Sequence, residues 1–163
     1  MKIVITGGAG FLGQRLASRL LERGEAVDGE GKTRDISELV LFDIAPEVPL
    51  ADPRLSYISG DITNPEKVRA LIDEKTSSIF HLAAVVSAHA EEDFDLGYRI
   101  NLDGTRQVLE AARALPHLPK VIFTSSIATY GGTLPDVVTD ETAQLPQTSY
   151  GCAKVMGEYL VQD

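Results

Sequence analysis

The segment Ile3-Val4-Ile5-Thr6-Gly7-Gly8-Ala9-Gly10-Phe11-Leu12-Gly13 leaves this chain little choice of fold. A β-branched run (Ile3, Val4, Ile5) reads as a buried strand. Spaced glycines follow at once, and then Leu12, Leu16, Leu20 and Leu21 recur at helical spacing. Strand, glycine turn and helix in that order present a helix N-terminus, with its free N–H groups and positive dipole end, to an anion. Glycine is required because a side chain would hold the backbone away from a pyrophosphate. The spacing reads in two ways. Gly8, Gly10 and Gly13 give G-x-G-x-x-G, whereas Thr6 followed by Gly7, Gly10 and Gly13 gives T-G-x-x-G-x-x-G. The competing explanation is a glycine-rich turn with no ligand. The strand before and the helix after supply the context that the phosphate-binding motif requires.

The rest of the chain repeats this alternation. The first helix is expected to end near Arg23-Gly24, and Glu25–Ser37, without hydrophobic periodicity, reads as an extended surface loop. Glu38–Asp43, Leu55–Gly60, Ser78–Leu82 and Pro119–Ser125 read as further strands. Asn64 caps a helix with Pro65 at its first position, and Val68, Leu71 and Ile72 are its apolar face. A long helix is expected over about Glu91 to Leu115, with Phe94, Tyr98, Asn101, Thr105, Val108 and Ala112 on its inner face. Turn signals at Gly131-Gly132, Pro135 and Pro146 lead to a last helix from about Ser149. The fold class is α/β: a Rossmann-type doubly wound parallel sheet.

Composition narrows the partners. With 163 residues the chain reads as one domain, and its formal net charge of −9 argues against nucleic acid. A single cysteine, Cys152, permits no internal disulfide, and no metal centre is expected. With neither a signal segment nor a long apolar run, the expectation is a soluble, cytoplasmic protein bound to no membrane.

Asp43 closes the second strand. A carboxylate there can accept hydrogen bonds from the adenosine ribose of a dinucleotide and would repel a 2′-phosphate, which selects NAD over NADP. A strand-end aspartate capping a turn is the alternative. Asp61, after the third strand, is a second candidate that would reach the adenine; the alternative is a plain turn aspartate.

Tyr150 and Lys154, four residues apart on the last helix, share a face. A nearby ammonium favours the phenolate over the phenol, which makes Tyr150 a candidate general base for a substrate hydroxyl. Ser126, just past the fifth strand, is placed to hold the same substrate oxygen. Asn101, polar on an apolar helix face, needs a buried partner and either serves the site or bends its helix.

Six motifs in order resemble the extended short-chain dehydrogenase/reductases, the NAD-dependent epimerase/dehydratase family. They are Thr6–Gly13, Gly60-Asp61-Ile62, His81-Leu82-Ala83-Ala84, Asn101, Phe123-Thr124-Ser125-Ser126 with Tyr130-Gly131, and Tyr150-Gly151-Cys152-Ala153-Lys154. The resemblance implies NAD as cofactor, held by Gly7, Gly10, Phe11, Leu12, Gly13, Asp43, Asp61, Ile62, Leu82, Ala83, Ala84, Tyr150 and Lys154. It implies Ser126, Tyr150, Lys154 and Asn101 as catalytic residues, with Lys154 also orienting the ribose. The run Val85–Arg99 is similar to a subgroup that oxidises four-carbon sugar acids such as D-erythronate. Ser87 would then touch substrate together with Ser126 and Tyr150. His89 is the weaker candidate, since a surface-loop histidine explains it as well.

Epimerisation or dehydration of a nucleotide-linked sugar is the alternative chemistry, and a redox-silent dinucleotide sensor the alternative class. The likeness also implies a homodimer through the central and final helices. Family members usually carry a C-terminal domain that shapes the substrate pocket. The 163 residues are therefore expected to be the NAD-binding part of a longer protein, or a fragment lacking that domain, weak in cofactor binding and inactive by itself.

Overall fold

The computed structural model describes residues 1–45 and 50–163. The chain runs β1 (Lys2–Thr6), α1 (Phe11–Arg23), β2 (Glu25–Val27), β3 (Thr33–Asp35), β4 (Glu38–Asp43), β5 (Leu55–Ser59), α2 (Pro65–Leu71) and β6 (Thr76–His81). It continues through α3 (Ser87–Glu92), α4 (Phe94–Tyr98), a π-helical segment (Arg99–Gly104), α5 (Thr105–Arg113), β7 (Lys120–Phe123), a 3-10 turn (Ile127–Thr129) and α6 (Ser149–Gln162). Five strands form one sheet in the order β5-β4-β1-β6-β7, and every pairing in it is parallel. The chain reverses direction across the sheet between β1 and β6. In a doubly wound sheet the crevice beyond the strand C-termini at such a switch point is where ligands bind.

The alternating pleat sorts the core into two layers. Ile3, Ile5, Leu39 and Leu41 face α1 and Ala17, while Val4, Val40, Phe42 and Ile79 face Val68 and Leu71 of α2 and Val108 and Ala112 of α5. β1 is buried along its whole length, as the central strand of a two-faced sheet must be. Asn64 caps α2 as expected, its side chain accepting hydrogen bonds from the N–H groups of Glu66 and Lys67 ahead of Pro65.

Two expectations are corrected. Glu25–Ser37 is not an extended loop but carries the antiparallel hairpin β2–β3. Asp28 organises its turn, accepting from the N–H groups of Glu30 and Lys32 and from Arg34 Nε, with Gly31 in the left-handed region at φ 78°. Most of the hairpin faces solvent, so its residues show no polar–apolar alternation. The expected single helix over Glu91–Leu115 is also broken. Asp93 leaves helical geometry (φ −130°, ψ 89°) and its side chain accepts from Leu96 N–H at 2.9 Å, capping a new helix, α4. A second interruption follows at the π-helical segment. Asn101, Thr105, Val108 and Ala112 do face inward, but Phe94 is 59% exposed, because the restart turns it outward to pair with Tyr98.

Candidate active site

The glycine turn forms one wall of a cleft of about 350 Å³ at the switch point. Gly7, Gly10, Asp43, Asp61, Ile62, Leu82, Ala83 and Ala84 line it, so eight residues expected to meet the cofactor converge on one place. The structure also separates the two glycine readings. Gly7 has φ 70°, and a Cβ there would lie 2.7 Å from Ala83 N, so only glycine fits between turn and wall. Gly8 instead packs against Leu41 and does not line the cleft. The spacing Gly7, Gly10, Gly13 is therefore the one that shapes the opening. Gly13 sits behind it, where a Cβ would come within 2.3 Å of Gly7 O, locking α1 to the turn.

A Cβ on Gly10 would meet only Gly7 O, at 3.2 Å, and would otherwise project into open space. Gly10 precedes α1 without any side-chain cap. The N–H groups of Phe11 and Leu12, in the helix's first turn, have no acceptor within it. Phe11 and Leu12 are 75% and 61% exposed and do not line the cleft themselves, although they follow directly on Gly10, which does. Cradle, free N–H donors and helix dipole together fit a dinucleotide pyrophosphate.

Asp43 does structural work as well as facing the cleft. Its Oδ2 accepts from Ala9 N–H at 2.9 Å and its Oδ1 from Ala45 N–H at 3.0 Å, tying the glycine turn to the end of β4. A carboxylate has lone pairs beyond these two bonds and can also accept from ribose hydroxyls. Asp61 combines both alternatives: Oδ1 accepts from Thr63 N–H and Oγ1, making a turn, while the residue lines the cleft.

A buried polar chain runs behind the cleft. Thr105 Oγ1 donates to Asn101 O at 2.7 Å, so its proton is spent and it accepts from His81 Nε2 at 2.9 Å. His81 Nδ1 is then bare and accepts from Thr6 Oγ1 at 2.7 Å, and Thr6 Oγ1 in turn accepts from Ala83 N–H. Burial, and after it the charge of Lys154, pushes the His81 imidazole down from 6.5 to about 3, so it is neutral. Asn101, 1% exposed, has both side-chain polar atoms on the backbone of Val85: Oδ1 accepts from its N–H at 2.8 Å and Nδ2 donates to its carbonyl at 3.0 Å. It sits in the π-helical segment and holds the 82–85 wall in place.

The second cluster lies beyond β7. α6 docks closely there because Gly151 and Gly157 carry no side chain: Cβ atoms would meet Ala128 O at 2.1 Å and the Phe123 ring at 2.7 Å. This sets Tyr150 beside the 3-10 turn that Ser126 caps through its Oγ. Lys154 is 3% exposed. Its Nζ donates to Thr124 O at 2.9 Å and stands 4.8 Å from the Phe123 ring centroid and 5.7 Å from that of Tyr150. Burial lowers its pKa from 10.5 to about 8. No ion pair to Lys154 exists among the described residues. Ser87 opens α3 half-buried, and His89 is exposed on the same helix.

Sequence reasoning missed Glu91, whose Oε1 accepts from the N–H and Oγ of Ser149 and so anchors the first turn of α6 to α3. These hydrogen bonds lower the Glu91 pKa. It also missed Glu158, which accepts from Ser125 Oγ and Gln144 Nε2. No local pattern marks either residue, since each partner comes from a distant segment.

Fold and cleft together define a Rossmann-type domain shaped to take a dinucleotide. The chain belongs to the NAD dependent epimerase/dehydratase family, whose model it matches over residues 3–163. It is 51% identical to D-erythronate dehydrogenase of Cupriavidus necator over all of this chain and 50% of that protein. It superposes on a nucleoside-diphosphate-sugar epimerase from Agrobacterium tumefaciens with TM-score 0.89 at 41% identity, covering 100% of this chain and 48% of the other. A UDP-glucose 4-epimerase from Brucella ovis in complex with NAD gives TM-score 0.82 at 27% identity, over 99% and 47%. The chain thus spans about half the length of the relatives it matches. Among the described residues no helix is long and apolar enough to cross a membrane, and no group of side chains could hold a metal ion.

Proposed function

We propose that the chain is the cofactor-binding and proton-transfer half of an NAD-dependent dehydrogenase that oxidises a hydroxyl of a small, D-erythronate-like sugar acid. The observation that carries this reading is Lys154, a buried ammonium held by Thr124 O beside the Tyr150 ring. A lone buried cation is costly to a fold and is retained where a reaction needs it. Identity of 51% to a D-erythronate dehydrogenase supports the substrate class.

NAD, when bound, supplies the hydride acceptor. Gly7 and Gly10 give its pyrophosphate room, Gly13 lets α1 seat against the turn, the N–H groups of Phe11 and Leu12 bind it, and Asp43 takes the ribose hydroxyls and disfavours a 2′-phosphate. Asp61 and Ile62 border the adenine, and Leu82, Ala83 and Ala84 form the opposite wall. Tyr150 accepts the substrate hydroxyl proton, Ser126 hydrogen-bonds the same oxygen, Lys154 favours the phenolate form and holds the ribose, and Ser87 contacts substrate. Intact Ser126, Tyr150 and Lys154 speak against a redox-silent sensor, which has no use for them.

The likeness to a nucleoside-diphosphate-sugar epimerase favours a second reading, epimerisation of a nucleotide-linked sugar. Absorbance of reduced nicotinamide separates the two. A dehydrogenase accumulates NADH with D-erythronate, while an epimerase interconverts a UDP-sugar without net NADH. Tyr150→Phe abolishes turnover and leaves NAD binding intact; unchanged turnover in that variant overturns the assignment.

A further inference from the structure

Two adjacent serines follow β7, and the structure gives them different work. Ser125 is exposed, and its hydroxyl donates to Glu158 Oε1. Glu158 Oε2 accepts from Gln144 Nε2 at 2.7 Å, so the carboxylate is held from both sides. One residue earlier, Thr124 O accepts from Lys154 Nζ at 2.9 Å. Thr124 and Ser125 are thus fastened to two residues of α6 that lie one turn apart, Lys154 and Glu158.

Ser126 comes next and, among the described residues, makes no hydrogen bond to α6. Its Oγ accepts from Ala128 N–H at 3.2 Å, and its carbonyl accepts from Thr129 N–H at 3.2 Å and Thr129 Oγ1 at 2.8 Å. A hydroxyl that only accepts keeps its own proton free to donate. Gly151, directly after Tyr150, lies against Ala128 of the same turn. The fastened pair therefore fixes where the free hydroxyl of Ser126 stands relative to α6.

We infer that Glu158 is a positioning residue: through Ser125 it holds the Ser126 hydroxyl in register with Tyr150. This rests on the proposed dehydrogenase reading for its effect on turnover, but the latch itself is a property of the fold. Its action is geometric. A glutamine at 158 can still accept from Ser125, and Gln144 can rotate its amide to present its oxygen to the new NH₂.

The test uses Ser125→Ala, Glu158→Ala, their combination, and Glu158→Gln in the full chain, with NAD and D-erythronate as probes. Either alanine variant lowers kcat by about tenfold while KM for NAD stays within about twofold, and the double variant is no worse than either single, because both break one linkage. Glu158→Gln restores most of the rate. Independently of activity, amide hydrogen exchange at Ala128 and Thr129 quickens by about tenfold or more in the alanine variants. Multiplying effects in the double variant, a Glu158→Gln as slow as Glu158→Ala, or unchanged exchange at Ala128 and Thr129 each overturns the latch. Absence of NADH in the unaltered protein instead defeats the dehydrogenase reading, and exchange alone then decides the latch.

Discussion

The cleft at the switch point and the cluster beyond β7 both lie at the carboxyl ends of the strands but are made of different material. The cleft is backbone: Gly7 at φ 70°, an open Gly10, uncapped N–H groups at the start of α1, and a wall at 82–85 pinned by Asn101. The β7 end is side chain: Tyr150 and Lys154 on α6, Ser126 on a 3-10 turn, and Glu158 and Glu91 bonding across segments. The difference teaches how each can fail. A backbone site is lost when the chain cannot adopt its path, and stability falls with it. A side-chain site loses chemistry while the fold stands.

Lys154→Met gives the largest separation of the two. On the proposed reading turnover falls on the order of a thousandfold, since Tyr150 loses the ammonium beside its ring. The urea midpoint holds or rises, because methionine fills the space without burying a charge. A loss of folding stability larger than the loss of rate would erase the distinction. Gly7→Ala is the converse. Its Cβ would stand 2.7 Å from Ala83 N on a backbone at φ 70°, and the variant loses about 2–3 kcal/mol of stability together with NAD binding. Gly10→Ala sharpens the point. With only Gly7 O nearby at 3.2 Å, it keeps the fold within about 0.5 kcal/mol and weakens NAD by about tenfold or more, as read by calorimetric titration.

The same contrast explains what was legible in the sequence. The glycine spacing, the Asn64-Pro65 cap and the buried runs of β1 and β4 are local signals, and each found its place in the fold. Tyr150 and Lys154 were legible as a helical pair. The hairpin β2–β3 was not, because its strands are three residues long and mostly exposed, too short and too wet to carry an alternation. Nor was the break at Asp93, where a helix-compatible pattern continues past a residue whose side chain caps a new start. The π-helical segment contains Asn101, whose side chain pairs with Val85 sixteen positions away, a contact no helical period encodes. Glu91 and Glu158 were invisible for the same reason: their partners lie 58 and 33 positions off.

His81 tests whether the two ends share support, since its polar chain reaches Thr6 beside the cleft and its charge state is opposed by Lys154. Its folded pKa, about 3, lies below the unfolded 6.5. Between those values the unfolded chain binds the proton and the folded chain does not. Stability is therefore whole above about pH 6.5 and declines toward pH 3, by up to about 1.4 kcal/mol per pH unit from this group. Urea unfolding from pH 7 to 5 reads the slope. His81→Asn lowers stability at pH 7 but flattens the dependence; an equally steep variant would mean that other groups carry it.

The smallest expected effect is at the N-cap of α6. Thr148 Oγ1 accepts from Gly151 N–H at 3.0 Å, and its loss in Thr148→Ala costs about 1 kcal/mol, seen as a lower Tm. Glu91 still accepts from Ser149 N–H, so the helix start frays without detaching. Tyr150 lies in that first turn, whereas the residues lining the cleft belong to other segments. Turnover should therefore drop while NAD affinity stays put. If affinity fell by the same factor as turnover, the first turn of α6 would belong to the cofactor cleft as much as to the chemistry, and the division between backbone and side-chain sites would have to be drawn on the other side of Tyr150.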